Sequence, residues 1–159
     1  MKPLHRGLLL AALHCAMVLS LAGKYAYDRE RLPRVWAKTA PVDPNLPVRG
    51  RYASLRVEVE PAAALQDGLQ FCRLAVRESH LMAIPDDAGS GQQVMRTRSG
   101  TAVLREPVAF FLPEHAADPT RLQTGEELWV EVSVPSAGPP RPLRLAVKKE
   151  GQLKPLILR

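Results

Sequence analysis

Leu55, Val57 and Val59 alternate with Arg56, Glu58 and Glu60, and no other feature of the sequence restricts the fold as much. Successive side chains of a strand point to opposite faces, so this period of two describes a strand packed on one face and wet on the other. The same alternation returns in Leu128, Val130, Val132 and Val134 against Trp129, Glu131 and Ser133. It returns again in Leu143, Leu145 and Val147 against Arg144, Ala146 and Lys148. Residues 149–152 then read as a turn into 153–158, which makes the last two strands a hairpin. Shorter strands are expected over 69–77, 81–84, 94–98, 102–105 and 108–112, with 86–91 a loop by composition. Fifteen prolines weigh against a helical bundle, because proline breaks helix interiors. With aromatics at only 5%, the core must be built from Leu, Val and Ala. About eight short strands separated by turns predict a mainly β fold, a small antiparallel β-sandwich or barrel-like domain over 50–159. Outside the N-terminus, 61–67 and 118–123 are the only candidates for helix. Leu55, Val57, Val59, Leu128, Val130, Val132, Leu143, Leu145 and Val147 are predicted to share one core. Glu131 is placed on the solvated face, so Glu131→Lys is expected to be tolerated where Val130→Lys is not.

The N-terminus decides the compartment. Lys2 and Arg6 precede an apolar run over 7–23, interrupted only by His14, Cys15 and Ser20. A positive start followed by an apolar stretch is an export signal or a membrane anchor. Ser20-Leu21-Ala22 offers a weak cleavage site for the first reading. The second is preferred, because Lys24 can snorkel and Tyr25 and Tyr27 extend the run to interface height. Residues 25–32 hold no proline or glycine, so the anchor helix is expected to continue over 1–32 until Pro33. The short N-terminus favours an inside position for Met1 and an exported body. His14 and Cys15 could be read as a metal or haem ligand pair, but a weakly polar pair tolerated within a helix is the preferred reading. Cys72 is expected to be buried as a small apolar residue.

Charge is partitioned along the chain. Residues 24–51 carry net +4, 52–140 carry −5 and 141–159 carry +5. The basic segments lack the run of aromatics that stacks nucleic-acid bases, so no nucleic-acid partner is expected. A basic segment beside anionic lipid headgroups fits better, with the bilayer itself a partner. Pro33, Pro41, Pro44 and Pro47 punctuate 33–49, which reads as a semi-rigid proline-rich linker.

No motif for catalysis or a cofactor is present: no nucleophile elbow, phosphate-binding glycine loop, paired cysteines or zinc-binding helix motif. His80 and His115 are isolated, and a metal would need them to converge with a carboxylate. Ser54 needs a base to act as a nucleophile. Lys38 is the nearest lysine upstream, and an anchor followed by a β-rich body is also the outline of membrane Ser/Lys peptidases. Glu58 and Glu60 share one face of their strand, the face where charges normally go.

Residues 41–57 contain Pro41-Val42-Asp43-Pro44, then Val48-Arg49-Gly50, then Tyr52 and Leu55. This stretch resembles the bacterial GDYXXLXY family: Gly50, Tyr52 and Leu55 match the motif's glycine, first tyrosine and leucine, while Arg51 replaces its aspartate and Val57 its final tyrosine. Phe110-Phe111-Leu112-Pro113-Glu114 looks like the family's second landmark. The resemblance implies a membrane-anchored protein of the bacterial envelope without an assigned activity or cofactor. The chain is therefore expected to be a single-pass inner-membrane protein with a periplasmic C-terminal domain, serving as an accessory or binding subunit to another envelope or inner-membrane protein. The alternatives are a peptidase-like envelope hydrolase and a cleaved periplasmic binding protein. Asp43, Arg49, Gly50, Arg51, Tyr52 and Leu55 form the candidate motif. Within it Arg49, Arg51 and Tyr52 are the candidate partner-contact patch; the competing role for Tyr52 is to seal an edge of the core.

Overall fold

The computed structural model describes residues 3–42 and 52–158. Two compact units meet at the Leu32–Pro33 bond. The first is one helix, α1 (Pro3–Arg31). Leu8, Leu9, Leu10, Leu13, Met17, Val18, Leu19 and Leu21 are all exposed on it. Residues Gly7–Asp28 form a stretch of 22 residues long and apolar enough to cross a membrane; a signal sequence at an N-terminus meets the same criterion. Two of its polar side chains bond to backbone carbonyls of the same helix, which suits a hydrocarbon surround. His14 Nδ1 lies 2.8 Å from the Leu10 carbonyl, and the Ser20 hydroxyl donates to the Met17 carbonyl at 2.8 Å. The guanidinium of Arg31 lies 5.7 Å from the Tyr27 ring centroid, at the polar end of the span.

The second unit is all β among its described residues. Its strands are β1 (Arg34–Val42), β2 (Tyr52–Pro61), β3 (Gly68–Arg77), β4 (His80–Pro85), β5 (Gln92–Arg96), β6 (Ala102–Leu104), β7 (Val108–Phe111), β8 (Glu126–Ser133), β9 (Arg141–Lys149) and β10 (Gln152–Pro155). The long β2 belongs to two layers. Its first half pairs with β1 on one side and β7 on the other. Its second half pairs with β6 and β4, and the ring β2–β4–β3–β5–β6 closes into a five-stranded barrel. The remaining strands extend the sheet outward as β1–β8–β9–β10. One ladder departs from the expected antiparallel arrangement: β4 runs parallel to β2 through Glu60↔Met82 and Pro61↔Ala83. That pairing closes the ring without exposing a further edge.

Val57, Val59, Cys72, Leu81, Ala83, Val94 and Leu104 are buried in a cluster continuous with Val35, Leu55, Leu128, Val130, Val132 and Leu145. Leu143 and Val147, expected in the same core, are only half-buried. A bulge explains Leu143, because Glu131 faces Arg144 but Val132 faces Pro142, leaving Leu143 without a partner on β8. Leu145 and Ala146, in the regular part of the ladder, are both buried.

Three expectations are corrected. The segment 33–49 is not simply a linker, since Arg34–Val42 is the strand that joins β8 to β2. Val35, Ala37 and Thr39 face inward there, and the Thr39 hydroxyl donates to the Arg56 carbonyl at 2.8 Å. The prolines allow this because Pro33 precedes the strand, offering its carbonyl to the Val134 amide, and Pro41 sits near its end. No helix forms over 61–67 or 118–123; both are turns, closed for instance by the Leu65 amide on the Ala62 carbonyl. Glu131 is buried at 6% exposure, not solvated.

The carboxylate of Glu131 accepts two hydrogen bonds from Arg144, from Nε at 2.6 Å and from Nη2 at 3.1 Å. The pair holds the Arg144 guanidinium above its ordinary pKa. Glu131→Lys would place a buried ammonium against that guanidinium. The expected outcome is a loss of about 2 kcal/mol, read as a lowered melting temperature by circular dichroism. Glu131→Gln, which keeps one acceptor, should recover part of it.

Candidate functional site

The sequence-predicted motif is divided by the structure. Asp43, Arg49, Gly50 and Arg51 lie outside the described residues. Tyr52 opens β2 half-buried and Leu55 is fully buried, so the two face opposite sides as their odd spacing requires. Tyr52 pairs with Phe111 across β2 and β7, their ring centroids 6.4 Å apart and tilted by 48°. Phe111 remains 71% exposed. The segments around Tyr52 and around Phe110–Phe111, far apart in the sequence, are thus neighbours in one ladder.

Ser54 lies opposite Val42 on β1 and Ala109 on β7. Lys38 stands at the other end of the β1–β2 ladder, beyond the Thr39↔Val57 pair, and its ammonium is held by Glu127. The pairing of Ser54 with Lys38 is not formed. His115 sits exposed in a turn after β7. Among the described residues no group of three metal-ligating side chains converges. Cys15 and Cys72 are free, Cys72 buried as expected, and burial raises its thiol pKa so that it stays protonated.

A different constellation assembles on the outer face where β1, β8, β2 and β4 meet. Inward-facing Val35, Ala37 and Val130 leave Trp36, Lys38 and Trp129 pointing out, and Val57 and Val59 do the same for Glu58 and Glu60. In register, Trp36 stands opposite Glu131 and Lys38 opposite Trp129. His80, the first residue of β4, adds its imidazole to the Glu60 carboxylate, Nδ1 to Oε1 2.8 Å. These side chains line a groove of about 220 Å³. It contains both tryptophans of the chain.

The polar groups of the groove interlock. Lys38 Nζ donates to Glu127 Oε1 at 2.7 Å, and Trp129 Nε1 donates to Glu127 Oε2 at 3.1 Å. The hydrogen bond to Glu127 is the main reason the Lys38 pKa is raised, with Glu58 adding a weaker attraction. Lys38, then Trp129, hold the Glu127 carboxyl below its usual range. Lys148 Nζ lies 4.6 Å from the Trp129 ring centroid and the Arg144 guanidinium 5.8 Å from that of Trp36. Both indoles are therefore braced by cations from β9.

Sequence reasoning placed Glu58 and Glu60 on one face and His80 in isolation, but it did not join them to Trp36, Lys38 and Trp129. The one available signal was that both tryptophans occupy outward positions of alternating strands, where a low-aromatic chain has no packing need for them. No family model, no curated protein and no solved structure matches the chain.

Proposed function

We propose that this chain is a single-pass anchored binding protein of the bacterial envelope. Its helix lies in the inner membrane, and its β domain on the periplasmic side engages another envelope component without performing chemistry. The observation that carries the reading is the helix over Gly7–Asp28, whose large apolar side chains are exposed. Apolar surface of that extent is stabilised by lipid and disfavoured by water. The two tyrosines and Arg31 at its C-terminal end suit an interface belt. Membership of the GDYXXLXY family is part of the same proposal, supported by Gly50, Tyr52, Leu55 and the Phe110–Glu114 segment.

Fractionation of expressing cells, followed by mass spectrometry of the intact chain, tests the anchor. The expected result is a membrane-bound species that retains residues 3–31. A soluble species beginning after Ala22 would refute it. Protease added to spheroplasts should degrade the β domain; protection of the domain would reverse the proposed orientation.

A further inference from the structure

We propose that the groove between Trp36 and Trp129 is a binding site for an organic cation, an alkylammonium group seated on the indoles and held by the carboxylate of Glu58. The inference deepens the binding reading above by naming the chemistry of the ligand. Three observations support it. Both tryptophans of the chain line one groove on the outer face, while the core is filled by Leu, Val and Ala. Each ring is already in cation–π contact with a side chain, Lys148 at 4.6 Å from Trp129 and Arg144 at 5.8 Å from Trp36, contacts that a ligand ammonium would exchange for its own. The carboxylates lining the groove, Glu58 and Glu60, outnumber its one ammonium, Lys38. Lys38 is hydrogen-bonded to Glu127 and attracted more weakly by Glu58, and Glu60 faces an imidazole. Glu58 lines the groove with no hydrogen bond to its carboxylate among the described residues. A positive ligand gains from that carboxylate and from the indole faces together. A neutral ligand of the same shape gains only apolar contact.

The groove supplies its own probe, because its two tryptophans are the only ones in the chain. Choline should shift the intrinsic fluorescence of the full-length protein in a nonionic polyoxyethylene detergent, with a saturable dependence on concentration. Its uncharged isostere, 3,3-dimethylbutan-1-ol, should bind at least about tenfold more weakly, as expected when cation–π and carboxylate attraction are both lost. Glu58→Gln should weaken choline about threefold to tenfold while leaving the isostere and the thermal melt unchanged. Trp36→Phe should weaken choline as well, since phenylalanine is the poorer cation platform.

Reconstitution assigns the source of the ammonium. Saturation by free choline in phosphatidylglycerol vesicles and its loss in phosphatidylcholine vesicles would uphold the site with a lipid headgroup as occupant. Equal saturation in both would uphold it with a soluble amine. Equal response to choline and its isostere, or no saturable response to choline, would overturn the proposal. Neither outcome bears on the membrane fractionation, so failure of the ligand leaves the anchor standing, and failure of the anchor leaves the ligand to be judged by the titration.

Discussion

Val130→Lys is expected to abolish folding of the β domain. Val130 is fully buried near the middle of β8, paired to Ala37 on β1 and to Leu145 on β9, themselves buried. A lysine there has no carboxylate within the apolar layer, so it must either carry an unpaired charge in a low-dielectric interior or surrender its proton. The cost is at the upper end for single substitutions, about 4–5 kcal/mol or more. Domains of this size hold roughly 5–15 kcal/mol in total. Val130→Ala, which loses only buried methyl groups, should cost about 2 kcal/mol and still fold. Gln152→Lys on the exposed edge strand β10 should leave the melt unchanged. Circular dichroism melting of the full chain in detergent separates the three. A cooperative melt for Val130→Lys within a few degrees of the parent would refute the core assignment.

Gly91→Ala should be nearly as damaging, for a different reason. Gly91 precedes β5 and lies against the backbone of Cys72 on β3, so close that an added Cβ would occupy the space of the Cys72 carbonyl group. Its φ lies outside the left-handed region, so the constraint is space and not backbone conformation. A backbone clash cannot be relieved by a rotamer change. The strands must part, and the ladder from Gly68↔Arg96 to Cys72↔Gln92 is one of those that close the barrel. Overpacking of a close-packed interior typically costs about 1–3 kcal/mol, and a backbone collision belongs at the top of that range. The buried thiol gives an independent readout. In a Cys15→Ser background, Cys72 should react with a thiol reagent far faster in Gly91→Ala than in the parent, because burial shields its sulfur and keeps it protonated. Unchanged thiol reactivity together with an unchanged melt would show that the strands accommodate the methyl group.

The two predictions rest on features of different legibility. The alternation around Leu55, Val130 and Leu145 is a local property of the chain, so it is legible from the order of residues alone. The same is true of the helix over Gly7–Asp28, since hydropathy needs no partner. The hairpin between β9 and β10 was legible because a glycine-containing turn separates two apolar runs, and Glu150 and Gly151 both adopt the positive φ that a two-residue hairpin turn demands. The strand over Arg34–Val42 was hidden by its prolines, although Val35, Ala37 and Thr39 carried the period of two. Its place between β8 and β2 depends on residues 12–18 and 89–99 positions away, and local propensity does not encode such pairings.

The sequence by itself determined a mainly β body after an apolar helix, and the inward face of β2 and β8, because those follow from periods of two and from continuous hydropathy. Tertiary structure alone decided the ring closure through the parallel β2–β4 ladder, the burial of Glu131 beneath Arg144, and the meeting of Trp36, Glu58, His80 and Trp129 in one groove. Each of those depends on which strands become neighbours and in what register. A bulge at Glu131/Val132 or one parallel pairing changes the neighbours of a side chain without changing anything in the chain beside it.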